Sequence, residues 1–335
     1  MNFLRKLLFP FSILYGGITA LRNFFYNKGI LKSKSYDFPV ICVGNLSTGG
    51  TGKSPMIELL VSFLKDTNKI AVLSRGYKRK TSGYREVLTE STAEEVGDEP
   101  LQFKKKFPEI TVAVCEDRQT GIEELQNRAD VILLDDAFQH RKVTASLNIL
   151  LTSFDELFVD DCMLPAGNLR EPKFGARRAD IIVVTKCPDS ISDSKIDAIK
   201  RKLKPKPNQE LYFSKIGYAS EIKNSKEEKP LSYLKDRKFL LVTGIANPKP
   251  LIEFLKGEGL NFDEKSFPDH HNFTVSEIEE LQKQSLILTT EKDFMRLQPI
   301  SNTTEIYYLP IKTVILKDEE AKFKSSIEKA IKEKS

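Results

Sequence analysis

The chain has no Trp, and its 335 residues include only three His and four Cys. Cys42, Cys115, Cys162 and Cys187 stand far apart with no C-x-x-C pair. That spacing argues against a disulfide framework or a cysteine zinc site and fits a reducing compartment. Repeats and low-complexity tracts are missing. No uncharged run reaches the ~20 residues of a bilayer-spanning helix; the run from Leu7 to Leu21 has 15. Acidic residues are wholly absent from the first 36 positions, which carry Arg5, Lys6, Arg22, Lys28, Lys32 and Lys34. That gap accounts for the net charge of +5, because beyond it the 47 acidic residues slightly outnumber the remaining basic ones. The body of the chain therefore offers no nucleic-acid footprint.

What is present begins with MNFLRKLLFPFSILYGGITALRNFFYNKGIL. Phe3, Leu7, Phe11, Leu14, Ile18, Leu21 and Phe25 recur at three- and four-residue spacing and predict one apolar helical face within residues 1–30. Pro10 and the Gly16-Gly17 pair weaken that helix. Three readings stay open. A secretory leader has the right charge and apolar regions but would export a reduced nucleotide-binding protein. A helix buried in the core is the plain structural reading. An amphipathic helix in a membrane interface, with its basic residues against anionic lipid, is favoured.

Beyond this segment, apolar runs alternate with helical patterns. FPVICVGN, KIAVLSRG, ITVAV, VILLDD, LNILLTS and DIIVVTK read as strands, and KSPMIELLVSFLK as the helix after the first. This pattern predicts an α/β protein with a doubly wound, mostly parallel sheet of P-loop NTPase type. EIKNSKEEKP, residues 221–230, is polar and aperiodic and reads as a linker. After it, KFLLVTGI, SLILTT and EIYYLP predict a smaller α/β subdomain ending in an amphipathic helix. Three parts are thus expected: 1–30, a core over 31–222, and a subdomain over 223–335.

VICVGNLSTGGTGKSP runs a strand through a glycine-rich loop into a helix, the setting of a phosphate-binding loop. Ser47 stands where the usual pattern has its first glycine. Gly49, Gly50 and Gly52, with Thr48 and Thr51 between them, let backbone N–H groups converge on phosphate oxygens. Lys53 is placed to reach the β- and γ-phosphates, and the Ser54 hydroxyl to ligate Mg²⁺. The helix N-terminus adds partial positive charge. ATP with Mg²⁺ is the expected pair, bound over residues 47–54.

VILLDDAFQHR puts Asp135 and Asp136 at the C-terminal tip of a strand, where a Walker-B carboxylate holds Mg²⁺. Gln139 and His140 exceed what one magnesium needs and point to substrate positioning; a capped strand end is the plain alternative. FPDHHNF brings Asp269, His270 and His271 together, as an acid/base dyad in preference to a zinc site. EVGDEP fixes Asp98 and Glu99 in a turn, where a carboxylate base would serve a kinase acting on a hydroxyl; any acidic turn looks similar. LPAGNLREP supplies Arg170 and Glu171, suited to phosphoryl charge, an anionic substrate or a surface salt bridge. VVTKCPD is a faint echo of a guanine-reading motif and carries little weight.

In this order, VGNLSTGGTGKSP, LSRGYKRK, GDEP, DDAFQHR, LPAGNLREP, ADIIVVTK, GIANP, DHHNF and TEKDFMRL resemble the lipid A 4′-kinase (tetraacyldisaccharide 4′-kinase) family. The resemblance implies a peripheral or monotopic enzyme on the cytoplasmic face of the bacterial inner membrane. It implies transfer of the γ-phosphate of ATP to the 4′-hydroxyl of a tetraacylated disaccharide 1-phosphate. It also implies roles: Lys53 and Ser54 for phosphate and magnesium, and Asp98 as base paired with His270, which Asp269 orients. Asp135, Asp136 and Glu171 are implied for the metal, Arg170 for phosphoryl charge, and Gln139, His140 and Arg75 for substrate. The family likewise does without the first loop glycine. Ala137 and Lys78 depart from its usual glycine and small residue. Domain closure is expected to join Asp98 to His270. Two other readings are a nucleotide-driven membrane switch, which leaves the D-H-H and R-E-P loops unused, and a kinase for a soluble metabolite, which leaves the N-terminal segment unexplained.

Overall fold

Most of the apolar runs picked out above lie side by side in one sheet. The computed structural model describes residues 5, 7–245, 247–268, 271, 273–297 and 304–334. In chain order come α1 (Phe9–Asn27), β1 (Val40–Asn45), α2 (Lys53–Leu64), β2 (Ile70–Ser74), β3 (Arg85–Glu86), α3 (Ala93–Val96) and α4 (Asp98–Lys106). Then follow β4 (Thr111–Val114), α5 (Arg118–Leu125), β5 (Val131–Asp135), β6 (Leu147–Ser153), β7 (Ile181–Thr185), α6 (Asp193–Leu203) and β8 (Glu210–Tyr218). The second unit adds β9 (Glu221–Lys223), β10 (Glu228–Pro230), β11 (Phe239–Thr243), α7 (Lys249–Gly257), β12 (Phe262–Ser266), α8 (Val275–Leu281), β13 (Leu286–Thr290), α9 (Glu291–Leu297) and β14 (Glu305–Leu309). The chain ends with β15 (Ile311–Ile315) and α10 (Glu320–Lys332).

Nine strands form the larger sheet in the order β15-β8-β7-β6-β1-β5-β2-β4-β3. From β8 to β4 neighbouring strands are parallel; β3 pairs antiparallel on β4. Every residue of β1, β2, β5 and β7 is buried, as expected where helices cover both faces and strands are rich in Val, Ile and Leu. The order reverses at β1, whose neighbours are β5 on one side and β6 on the other. In an open α/β sheet that switch point, outside the carboxyl ends of the strands, is where ligands bind.

The second unit covers residues 217–312 and holds its own six-stranded sheet, ordered β10-β9-β14-β13-β11-β12. Two expectations are corrected here. The segment 221–230 is not a linker but the hairpin β9–β10. Asn224 closes its turn, its side-chain oxygen accepting from the amides of Lys226 and Glu227, both at 2.8 Å; a polar edge hairpin has no apolar periodicity to read. The subdomain also does not run to the C-terminus. Residues 313–335 belong with the first unit, where β15 is the edge strand of the nine-stranded sheet and Phe323, Ile327 and Ile331 of α10 are buried.

Helix α1 turns its polar residues inward. Ser12 and Asn23 are buried, whereas Phe11, Leu14, Ile18 and Leu21 are exposed. It is therefore not a core helix buried through its apolar side. None of the described helices is long and apolar enough to cross a membrane.

Candidate active site

The loop after β1 is built from its ends. Gly44 must be glycine, since a Cβ there would come within 2.6 Å of the Phe138 Cβ. The Asn45 amide donates to the Thr51 hydroxyl at 2.7 Å, and the Thr185 hydroxyl donates to the Thr51 carbonyl at 2.8 Å. Thr185 of VVTK thus braces the phosphate loop. Ser47 bridges Leu169 through its backbone, so the position needs no glycine. Thr48, Gly49 and Gly50 form an exposed tip. Gly52, at φ 83°, is the cap from which α2 starts, a conformation that glycine adopts without steric cost.

Lys53 and Ser54 open α2 and face the carboxylates. Lys53 Nζ lies 3.8 Å from Asp136 Oδ1. Arg170 reaches the same carboxylate with both guanidinium nitrogens, at 2.7 and 3.1 Å, and also bonds the Asn45 side chain. Asp136 occupies the left-handed region at φ 47°, which Asp tolerates better than most residues. Ala137 has no such φ, so its methyl is harmless there; Lys78 does, at φ 62°. Burial opposes ionisation of Asp136, but the Arg170 hydrogen bonds and the Lys53 charge outweigh it and hold the carboxyl below its ordinary range.

Asp135 is the opposite case. It is buried at the end of β5, accepts the Ser74 hydroxyl at 2.8 Å, and its other oxygen has no hydrogen-bond partner. Burial, with the charges of Glu99 and Asp136, pushes its carboxyl up to about 7. Ser54 donates to Glu99 at 2.8 Å. An orphaned buried oxygen and surplus negative charge fit a divalent cation. Mg²⁺ asks for one or two carboxylates plus phosphate oxygens rather than a full protein cage.

Glu171 falls outside this group. It is buried, and its two oxygens accept Asn23, Gln139 and both Arg178 nitrogens, each at 2.9 Å. Here that carboxylate is tied up by hydrogen bonds to Asn23, Gln139 and Arg178. Gln139 also donates to the Asn45 carbonyl at 2.7 Å, which keeps it beside the phosphate loop. His140 lies apart from the phosphate loop. It lines a cavity of about 240 Å³ with Cys42, Phe138 and Arg141, and no residue of 47–54 lines it. Burial and the nearby Arg118 charge lower the His140 imidazole to about 4.

Asp98, exposed, and Glu99 open α4 after Gly97 at φ 92°. Arg75 is exposed just past β2, and its charge reaches Arg118. Asp269 and His270 lie outside the described residues. His271, in the second unit, bonds Glu277 at 2.9 Å and stacks on Phe267. Asp293 of TEKDFMRL, fully buried, accepts the Gly244 amide and the Thr290 hydroxyl at 2.7 Å. Sequence reading passed over Arg118 and undervalued Glu99. Arg118 is buried, donating to the Cys115 carbonyl at 2.7 Å and the Asp135 carbonyl at 3.3 Å. The signal was Asp117, a helix cap placing Arg118 at the start of α5, where a lone arginine looks like surface.

A parallel sheet with a glycine-rich loop at its switch point, a lysine and serine opening the next helix and paired acids on the neighbouring strand define a P-loop nucleotide-binding phosphotransferase. The family model described as tetraacyldisaccharide-1-P 4′-kinase (LpxK) matches residues 4–332. The chain belongs to that family. It is 50% identical to the tetraacyldisaccharide 4′-kinase of Flavobacterium johnsoniae, over 99% of each chain. It is 44% identical to that of Bacteroides thetaiotaomicron, over 97% of this chain and 92% of the relative. A crystal structure of LpxK from Aquifex aeolicus in complex with ATP superposes with a TM-score of 0.79 at 34% identity, covering 98% of this chain and 99% of that one.

Proposed function

We propose that the protein is an ATP-dependent lipid kinase, transferring the γ-phosphate of ATP to the 4′-hydroxyl of a tetraacyldisaccharide 1-phosphate and so forming a lipid IVA type of product. The observation that carries this reading is the shared hold of Lys53 and Arg170 on Asp136, 3.8 and 2.7 Å away, beside the orphaned oxygen of Asp135. Two cations and a cation-seeking carboxylate meet at the mouth of a phosphate loop.

Each residue has a task in this scheme. The backbone N–H groups of residues 47–54 cradle phosphate oxygens, and Lys53 neutralises the charge of the transferred group. Arg170 is held by Asp136 and Asn45 in a fixed direction, so it meets phosphoryl charge without reorganising. Ser54, Asp135 and Asp136 are the residues that would hold Mg²⁺, which would supply positive charge against the charge developing on the phosphates. Asp98 is the proposed base that takes the acceptor hydroxyl's proton, with His270 as its partner. Arg75 and Gln139 are proposed to face the acceptor.

The proposed place of work is the cytoplasmic face of the inner membrane. The exposed Phe11, Leu14, Ile18 and Leu21 of the N-terminal helix are flanked by Arg5, Arg22 and Lys28, with no acid near in sequence, a combination suited to an anionic interface. Labelled γ-phosphate should appear in the acylated disaccharide in detergent micelles, only with Mg²⁺; no transfer would sink the kinase reading. The paired change Leu14→Glu and Ile18→Glu, on the exposed face, should abolish sedimentation with anionic vesicles; undiminished sedimentation would refute the interfacial reading.

A further inference from the structure

Helix α1 is held to the body of the protein by directional polar bonds. Ser12 Oγ accepts the Ala166 amide at 2.9 Å, Tyr15 donates its hydroxyl to the Arg170 carbonyl at 3.0 Å, and Asn23 donates to Glu171 at 2.9 Å. Just ahead of the helix, Arg5 reaches the Gly167 carbonyl at 3.3 Å and the Asn168 side chain at 3.0 Å. All five contacts fall on the segment 166–171. The same segment is bonded on its other side to the phosphate loop: the Thr48 amide donates to Asn168 O at 2.8 Å, and the Arg170 amide to Leu46 O at 2.7 Å. A helix with its apolar side exposed is not seated by hydrophobic burial. Buried polar groups cost free energy unless bonded, and when bonded they fix one geometry.

Asn23 is the most telling member. It is 2% exposed, and it completes the coordination of Glu171. Glu171 in turn orients Gln139, whose amide also holds the Asn45 carbonyl, and Asn45 bonds both Thr51 and Arg170. An apolar residue would pack at position 23 but could not orient a carboxylate. We propose that Asn23 and Tyr15 are positioning residues of the phosphoryl site: the polar face of α1 sets Arg170 and Gln139 through Glu171 and the Arg170 main chain. The N-terminal helix is thereby part of the active-site framework. This rests on the kinase reading but not on membrane binding.

The test is steady-state phosphate transfer in detergent micelles by the full chain, its Asn23→Leu variant and the milder Tyr15→Phe variant, with melting temperature and ATP affinity measured alongside. Misplacing a phosphoryl-binding arginine by a fraction of an ångström costs rate rather than nucleotide affinity. Asn23→Leu should lower kcat about tenfold and Tyr15→Phe about threefold, with ATP affinity changed less than about twofold. Asn23→His, which keeps a donor at that place, should recover part of the loss. Unchanged kcat in both folded variants would overturn the proposal, as would a kcat loss that only tracks the fraction of unfolded protein. Should Asn23→Leu fail to fold, Tyr15→Phe decides. A wild-type chain that transfers no phosphate would refute the kinase reading itself.

Discussion

The hydroxyl of Ser54, first-turn residue of the phosphate-loop helix, donates to Glu99 at 2.8 Å. That bond ties the GDEP turn to the phosphate loop across 45 residues of sequence and makes Glu99 a neighbour of any cation Ser54 would hold. Glu99 also acts through its charge on Asp135, where it is the largest influence after burial. Replacing Glu99 by Gln removes charge but keeps the shape. The Mg²⁺ concentration for half-maximal activity should rise by about tenfold, the scale expected when a partner of a metal ligand is altered. A magnesium titration of the variant checks it; an unchanged requirement would place Glu99 outside the metal's surroundings.

Asp98, one residue earlier, has the opposite expected signature. It is exposed to solvent at the start of α4. As proton acceptor it should matter to turnover alone. Asp98→Ala should cut kcat by about 10²- to 10⁴-fold while ATP affinity, measured by calorimetry, stays within about twofold. An equal loss of ATP binding would remove it as the base.

Asp135 links function to stability. Its folded-state value of about 7 lies above the ordinary 3.8. The folded state keeps a proton that the unfolded state releases, so the contribution to stability is fully present below the unfolded value and is lost as pH rises through 7. Asp135→Asn should therefore melt higher than the metal-free wild type at pH 8 by a few degrees, and no higher near pH 4. Activity should fall at least about a hundredfold, because the substituted amide cannot neutralise a cation. Calorimetry at the two pH values measures the first part.

Much of this site was legible because its signals are local. A strand, three glycines and Lys53-Ser54 occupy adjacent positions, and Asp135-Asp136 follow four apolar residues directly. What stayed hidden depends on distant partners. The hydrogen bonds Glu171 accepts, from Asn23, 148 residues away, and from Arg178, leave no trace in its own stretch of sequence. The hairpin at 221–230 was unreadable because its strands are short, charged and at a sheet edge, where no apolar face imposes alternation. The last strand, Ile311–Ile315, follows β14 closely in sequence yet belongs to the other sheet, a choice made by tertiary pairing alone.

His140 supplies a pH test of opposite sign to Asp135. Burial first, and the Arg118 charge second, lower its imidazole from 6.5 to about 4. Its nearest acid is Asp117 at 3.9 Å, too far to hydrogen bond, and that carboxylate is itself drawn to Lys142 at 2.9 Å. As pH falls below 6.5 the unfolded state takes up a proton that the folded state refuses until about 4. Stability from this group is present above 6.5 and is lost through that interval. Asp135 gains stability over much of the same interval, so the wild-type profile partly cancels. His140→Asn should remove this group's acid-side loss, so that stability measured in urea titrations falls less between pH 6.5 and pH 4.5 in the variant than in the wild type. A variant whose profile follows the wild type would show that His140 is not held neutral by its burial.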